Sequence, residues 1–121
     1  MKVLLIEDDK WFRDTVVKVL QNEGWQTAVA GDGAEGIDMI DDFEPSVVLL
    51  DVMLPSATAP TLLNELQSHT DLADLPIVLC TSVDTADFDL ESLAHYGVHS
   101  VLDKTQTSPK DIVKALKHAV Q

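Results

Sequence analysis

Positive charge is scarce in this sequence. Eight lysines and arginines stand against 21 aspartates and glutamates, for a net charge of −13 over 121 residues. Phosphate backbones are repelled by such a surface, so nucleic acid is excluded as a partner of this domain. Cysteine is scarcer still. Cys80 stands alone, no internal disulfide can form, and a reducing cytoplasm is the expected location. Long apolar runs are missing as well: Val3 to Ile6 and Val47 to Leu50 fall far short of the ~20 residues of a membrane-spanning helix, and no membrane association is expected. Met1-Lys2 leads straight into the first of these runs, so no signal peptide is expected either. Repeats, low-complexity stretches and internal linkers are absent, and no effector domain is visible. One domain over residues 1–121 is the expectation.

What is present is an ordered alternation of strand and helix signals. Val3-Leu4-Leu5-Ile6 is a continuous apolar run of the kind buried on both faces of a sheet. Lys10 to Asn22 has helical spacing at Phe12, Val16, Val19 and Leu20, and Gly24 stops it. Gln26 to Ala30 reads as a strand and, past a Gly31-Asp32-Gly33 turn, Ala34 to Asp42 as a short helix. Val47 to Leu50 is a third strand, Thr61 to His69 a helix, Ile77 to Cys80 a fourth strand, Asp87 to His95 a weaker helix, and Val98 to Leu102 a fifth strand. Ser108 caps the last helix, with Pro109 at its first position and Asp111 three residues after the cap. Five βα units in succession predict an α/β, doubly wound parallel sheet with helices on both faces. In such folds the working site lies at the carboxyl ends of the strands.

Polar residues gather at those ends. The first strand runs into Glu7-Asp8-Asp9, the third into Asp51, the fourth into Thr81-Ser82 and the fifth into Asp103-Lys104. Taken singly, each has a plainer role, such as Asp8 or Asp9 capping the next helix. Their joint placement shifts the balance. Converging carboxylates raise one another's pKa unless a cation neutralises them, and oxygen-only ligands suit magnesium. Lys104 is also isolated, because no lysine or arginine occurs between Lys18 and Lys104. A hydroxyl and a lysine opposite a metal would stabilise a tetrahedral anion, with Asp51 as nucleophile. His69, His95, His99 and His118 show no metal-ligand spacing among themselves.

The order and spacing of Leu4-Leu5-Ile6-Glu7-Asp8-Asp9, Val48-Leu49-Leu50-Asp51-Val52-Met53-Leu54-Pro55, Leu79-Cys80-Thr81-Ser82 and Leu102-Asp103-Lys104 resemble the receiver domains of two-component response regulators. The resemblance covers the whole chain and implies a flavodoxin-like fold. It further implies phosphorylation of Asp51 by a sensor histidine kinase or phosphotransfer protein, with Mg2+ held by Glu7, Asp8, Asp51 and the main-chain carbonyl of Met53. Thr81 would be the switch hydroxyl and Lys104 the cation on the phosphoryl oxygens. Such a protein is a signalling switch that promotes only its own phosphorylation and dephosphorylation. The last two helices and the fifth strand, with Lys110, Lys114 and Lys117 as a basic stripe, would serve a homodimer or a downstream protein. Trp11, just past the acidic cluster, is placed either to contact the kinase or to pack against the fold.

The departures from the family pattern are specific. Thr105 follows the lysine where a cis-linked proline is usual, and the Lys104–Thr105 peptide is predicted trans. Val101 takes the place of the switch aromatic, and Thr58-Ala59, with Pro60 next, that of an Asp-Gly pair. These changes motivate an alternative, a receiver-like interaction module that does not use phosphorylation, yet Asp51, Thr81 and Lys104 are all retained. An enzyme of similar fold fits less well. A dinucleotide-binding protein needs a phosphate loop where Glu7-Asp8-Asp9 stands. A dehalogenase-type phosphatase needs an acid at Met53.

Overall fold

The computed structural model describes residues 1–51, 75–81 and 97–120. In chain order these form β1 (Lys2–Ile6), α1 (Lys10–Asn22), β2 (Gln26–Ala30), α2 (Gly33–Phe43), β3 (Val47–Asp51), β4 (Ile77–Thr81), β5 (Val98–Asp103) and α3 (Pro109–Ala119). The expected helices over 61–69 and 87–95 lie outside the described residues. The five strands make one sheet in the order β2-β1-β3-β4-β5, and every neighbouring pair is parallel.

Each apolar run divides its side chains between two layers because successive residues of a strand point to opposite faces. Leu4, Ile6, Val48, Leu50, Ile77 and Leu79 pack with Ile40 of α2 on one face. Val3, Leu5, Val47, Leu49, Val78 and Cys80 pack on the other with Val16 and Leu20 of α1 and Ile112 and Leu116 of α3. Full burial of such side chains contributes about 1.5–3 kcal/mol each, which fixes the register of the central strands. No helix among the described residues is long and apolar enough to cross a membrane.

The helix ends follow from local chemistry. Asp9 caps α1 by accepting from the Trp11 and Phe12 amides, and Asp32 caps α2 by accepting from Glu35. Ser108 and Asp111 form the reciprocal capping box at α3. Gly24, at φ +78°, supplies the left-handed residue that lets the chain leave α1. Three strands run one residue further than their apolar runs, to Asp51, Thr81 and Asp103. The cause is the ladder itself, which pairs Asp51 with Cys80 and Thr81 with Asp103 regardless of polarity. Between β4 and β5 the register shifts by one, so that Ile77 faces Val98 while Val78 faces Ser100, with His99 as the extra residue. That shift brings Asp103-Lys104 level with the end of β4.

Candidate functional site

β1 and β3 are neighbours at the point where the strand order reverses, and Ile6 pairs with Leu50. The next residues on the two strands, Glu7 and Asp51, therefore meet. Asp8 joins them, and one carboxylate oxygen from each of the three lies within 4.8 Å of the others. Glu7 and Asp51 are 1% and 4% exposed, whereas Asp8 is open to solvent. Asp9 stands apart from the cluster. Its carboxylate is committed to the α1 cap, and its amide donates to Glu7 Oε1 at 3.1 Å.

Lys104 closes the cluster from the β5 side. Its Nζ lies 2.9 Å from Glu7 Oε1, 2.8 Å from Glu7 Oε2 and 3.2 Å from Asp51 Oδ2. With its side chain 16% exposed, this is no solvated surface lysine. Its main-chain amide donates to the Thr81 carbonyl at 2.8 Å, which ties the end of β5 to the end of β4. Thr81 itself is fully buried. Glu7, Asp8, Asp51, Thr81 and Lys104, singled out at separate strand ends of the sequence, thus lie at one edge of the sheet. Met53, Ser82, Val83 and Thr58-Ala59-Pro60 lie outside the described residues.

Burial, helped by the nearby Asp51 charge, pushes the Glu7 carboxyl up to about 7 despite the Lys104 hydrogen bond. For Lys104 the balance runs the other way. Desolvation pulls its pKa down, but the hydrogen bond to Glu7 and the charges of Asp51 and Glu7 outweigh it, and the ammonium is held above its ordinary value. One lysine faces three carboxylates, so the pocket keeps surplus negative charge. Glu7 Oε2 is buried and, although ion-paired, accepts no hydrogen bond among the described residues. A buried oxygen with spare lone pairs beside two more carboxylates is a donor set for a hard cation, and magnesium fits it.

The segment after Lys104 is held without proline. No cis peptide occurs among the described residues, so Lys104–Thr105 is trans, as the missing proline predicts. Asp103 Oδ1 accepts from the Thr105 amide at 2.9 Å and from its hydroxyl at 2.7 Å. These two bonds hold the Asp103 carboxyl below its ordinary value. Asp-x-Thr is a legible signal for such a turn, and the sequence reading passed over it. It also passed over a contact of Phe12, whose ring centroid lies 4.4 Å from Lys104 Nζ. No signal marks that contact, because Phe12 sits at ordinary core spacing.

Val101 packs partly buried against the core on the α2 side. Trp11 is 80% exposed at the start of α1. Lys117 lies 3.7 Å from Glu23 and 5.9 Å from the Trp25 ring centroid. His99 and His118 are exposed on β5 and α3, and His69 and His95 lie outside the described residues.

Comparison with known proteins agrees with this geometry. The profile of the response regulator receiver domain family matches residues 3–117. The response regulator MprA of Mycobacterium avium is 34% identical over 85 residues, covering 70% of this chain and 36% of that protein. The probable transcriptional regulatory protein TcrX of Mycobacterium tuberculosis is 34% identical over 95 residues, covering 78% of this chain and 40% of that protein. The matched stretch is therefore well under half the length of these curated relatives. Among solved structures, the BeF3-activated N-terminal receiver domain of Klebsiella pneumoniae RstA superposes with a TM-score of 0.86 at 27% identity, covering 100% of this chain and 99% of that one. The chemotaxis protein CheY4 of Vibrio cholerae gives a TM-score of 0.87 at 24% identity, covering 98% and 97%, a likeness of fold.

Proposed function

This chain belongs to the response regulator receiver domain family, and on that premise we propose that it is the phosphorylation-dependent switch of a two-component system, with Asp51 as phosphoacceptor. The observation that carries the reading is the meeting of Glu7, Asp8, Asp51 and Lys104 at one end of the sheet. A carboxylate oxygen of Asp51 attacks the phosphorus of a phosphohistidine. The phosphorus–nitrogen bond breaks as the acyl phosphate forms, and the imidazole leaves. Attack by one anion on another is slow unless charge is neutralised around the transferring group. Lys104, already 3.2 Å from Asp51, supplies positive charge on one side, and the Thr81 hydroxyl is the switch group at the end of β4.

Glu7, Asp8 and Asp51, together with the main-chain carbonyl of Met53, are the residues that would hold magnesium. When bound, the ion neutralises the carboxylates and the incoming phosphoryl oxygens. The donor is a sensor histidine kinase or phosphotransfer protein, and the chain performs no chemistry beyond its own phosphorylation and dephosphorylation. We extend the domain to residues 1–121 and place it in the cytoplasm, in keeping with its single free, buried Cys80. The surface of the last two helices and the fifth strand is the proposed face for a homodimer or downstream protein. An interaction module indifferent to phosphate has no observation in its favour.

The test is intact mass after incubation with acetyl phosphate, with and without magnesium. One magnesium-dependent phosphoryl adduct is the expected result. Its absence at any phosphodonor concentration overturns the reading.

A further inference from the structure

Lys104 is gripped from two chemically different directions. On one side are the carboxylates of Glu7 and Asp51. On the other is the ring of Phe12, whose centroid is 4.4 Å from Nζ. We propose that Phe12 is a positioning residue for phosphoryl transfer: its ring face keeps the Lys104 ammonium at the site when the carboxylates no longer hold it. The proposal rests on the reading that Lys104 contacts the transferring phosphoryl group.

The two grips respond differently to the reaction. A cation on Glu7 and Asp51 would draw on the same oxygens that hold Lys104, and phosphorylation of Asp51 turns its carboxylate into an acyl phosphate whose negative charge lies out on the phosphoryl oxygens. Both steps weaken the hold on Lys104 just when its charge is needed at the phosphoryl oxygens. The attraction of an ammonium to an aromatic face comes from the ring quadrupole. It neither titrates nor competes with a metal. Here it is also sheltered, since the Lys104 side chain is 16% exposed.

Local structure sets the ring in place through the Asp9 cap, whose carboxylate lies outside the Glu7, Asp8 and Asp51 cluster. The Asp9 cap fixes the first turn of α1, with the Phe12 amide donating to Asp9 Oδ1 at 3.4 Å. Phe12, Lys104, Thr107, Pro109 and Ile112 then share the lining of a groove of about 180 Å3 between α1 and the β5–α3 connection. Phe12 also packs against the core on the α1 side, so the test must separate holding Lys104 from filling space.

Three replacements at Phe12 do so, each made with Lys104 present and with Lys104→Met. Phe12→Leu keeps an apolar side chain without a ring, Phe12→Tyr keeps the ring, and 3,4,5-trifluorophenylalanine keeps the shape while cancelling most of the quadrupole. The first readout is the rate of phosphorylation by acetyl phosphate with saturating magnesium. The second is the proton chemical shift of the Lys104 ε-methylene, which a ring face moves upfield, with and without magnesium. Phe12→Leu and the fluorinated variant should slow phosphorylation by about three- to thirtyfold, and Phe12→Tyr should stay within about twofold of the parent rate. None should matter in the Lys104→Met background. The upfield shift should survive magnesium and disappear in Phe12→Leu. Equal losses in both backgrounds, or a Lys104 shift indifferent to Phe12, overturns the positioning role while leaving that of Lys104 intact. A Lys104→Met protein that phosphorylates normally overturns the reading of Lys104, and the inference falls with it.

Discussion

Lys104 Nζ lies within 2.9 Å of both carboxylate oxygens of Glu7, although the two residues are 97 positions apart in the chain. This one contact joins the first strand of the sheet to the last, and it carries a charge relationship with consequences for stability, metal binding and signalling.

The first consequence is a pH dependence. Folding raises the Glu7 carboxyl from its ordinary 4.5 to about 7, so between those values the folded protein keeps a proton that the unfolded chain has released. Metal-free stability should therefore fall as pH rises through that window, with a slope on the order of 1 kcal/mol per pH unit. Urea denaturation across the window measures it, and Glu7→Gln should flatten the slope. An unchanged slope in that variant would assign the dependence to other groups.

Magnesium should reverse the effect, because it takes the deprotonated carboxylate. At ten times its Kd the ion should stabilise the fold by about 1.4 kcal/mol, and its affinity should rise with pH up to and just beyond the Glu7 pKa. Asp8, exposed at the rim, should weaken magnesium binding when changed to Asn while leaving the metal-free fold intact. Thermal unfolding that does not respond to millimolar magnesium would mean that the three carboxylates do not form a cation site.

Packing beneath the site gives a third prediction. A Cβ added at Gly36 would stand 2.5 Å from Ile6 Cδ1 and 2.8 Å from Cγ1, and Ile6 is fully buried directly before Glu7. Alanine gains about 1 kcal/mol over glycine inside a helix, but overpacking a core costs roughly 1–3 kcal/mol. Gly36→Ala should therefore be destabilising by about 1 kcal/mol net. Ile6→Val, which removes the clashing Cδ1, should recover part of that loss in the double variant. Additive losses in the double-mutant cycle would show that the two residues do not clash.

Signal lifetime is the fourth. Resemblance to receiver domains implies that the side chains two positions after Asp51 and Thr81 tune the water that hydrolyses the acyl phosphate. Met53 and Val83 stand there, and neither can orient water by hydrogen bonding. The phosphorylated protein should lose its phosphate slowly unless a partner phosphatase acts. Met53→Asn combined with Val83→Glu should speed the loss severalfold in a phosphate-release assay. Unchanged or slower decay in that variant would refute the idea.

Much of this was legible in the sequence, for identifiable reasons. Strands buried on both faces appear as unbroken apolar runs, so β1, β3 and β4 announce themselves. The parallel order then places their polar terminal residues together, which is why Glu7, Asp8, Asp51, Thr81 and Lys104 group from the sequence alone. Illegible features depend on register and on contacts between elements. The extra residue His99 in β5 leaves no compositional mark. Phe12 reads as one more inward position of α1, and its place beneath Lys104 arises only when α1 packs beside α3 and the segment that leads into it. Lys117 reads as part of a stripe, and its approach to Glu23 and Trp25 arises only when α3 packs beside α1.

Asp51, and no other acid of the pocket, is the proposed acceptor of the phosphoryl group. Borohydride reduces an acyl phosphate to an alcohol, converting the modified aspartate to homoserine while untouched carboxylates stay as they are. Protein treated with acetyl phosphate and magnesium, then reduced and mapped by peptide mass spectrometry, should carry homoserine at position 51 alone, and Asp51→Asn should carry none. Homoserine at Asp8 or Asp9 in the unaltered protein, with Asp51 intact, would assign the phosphoryl group to a different carboxylate.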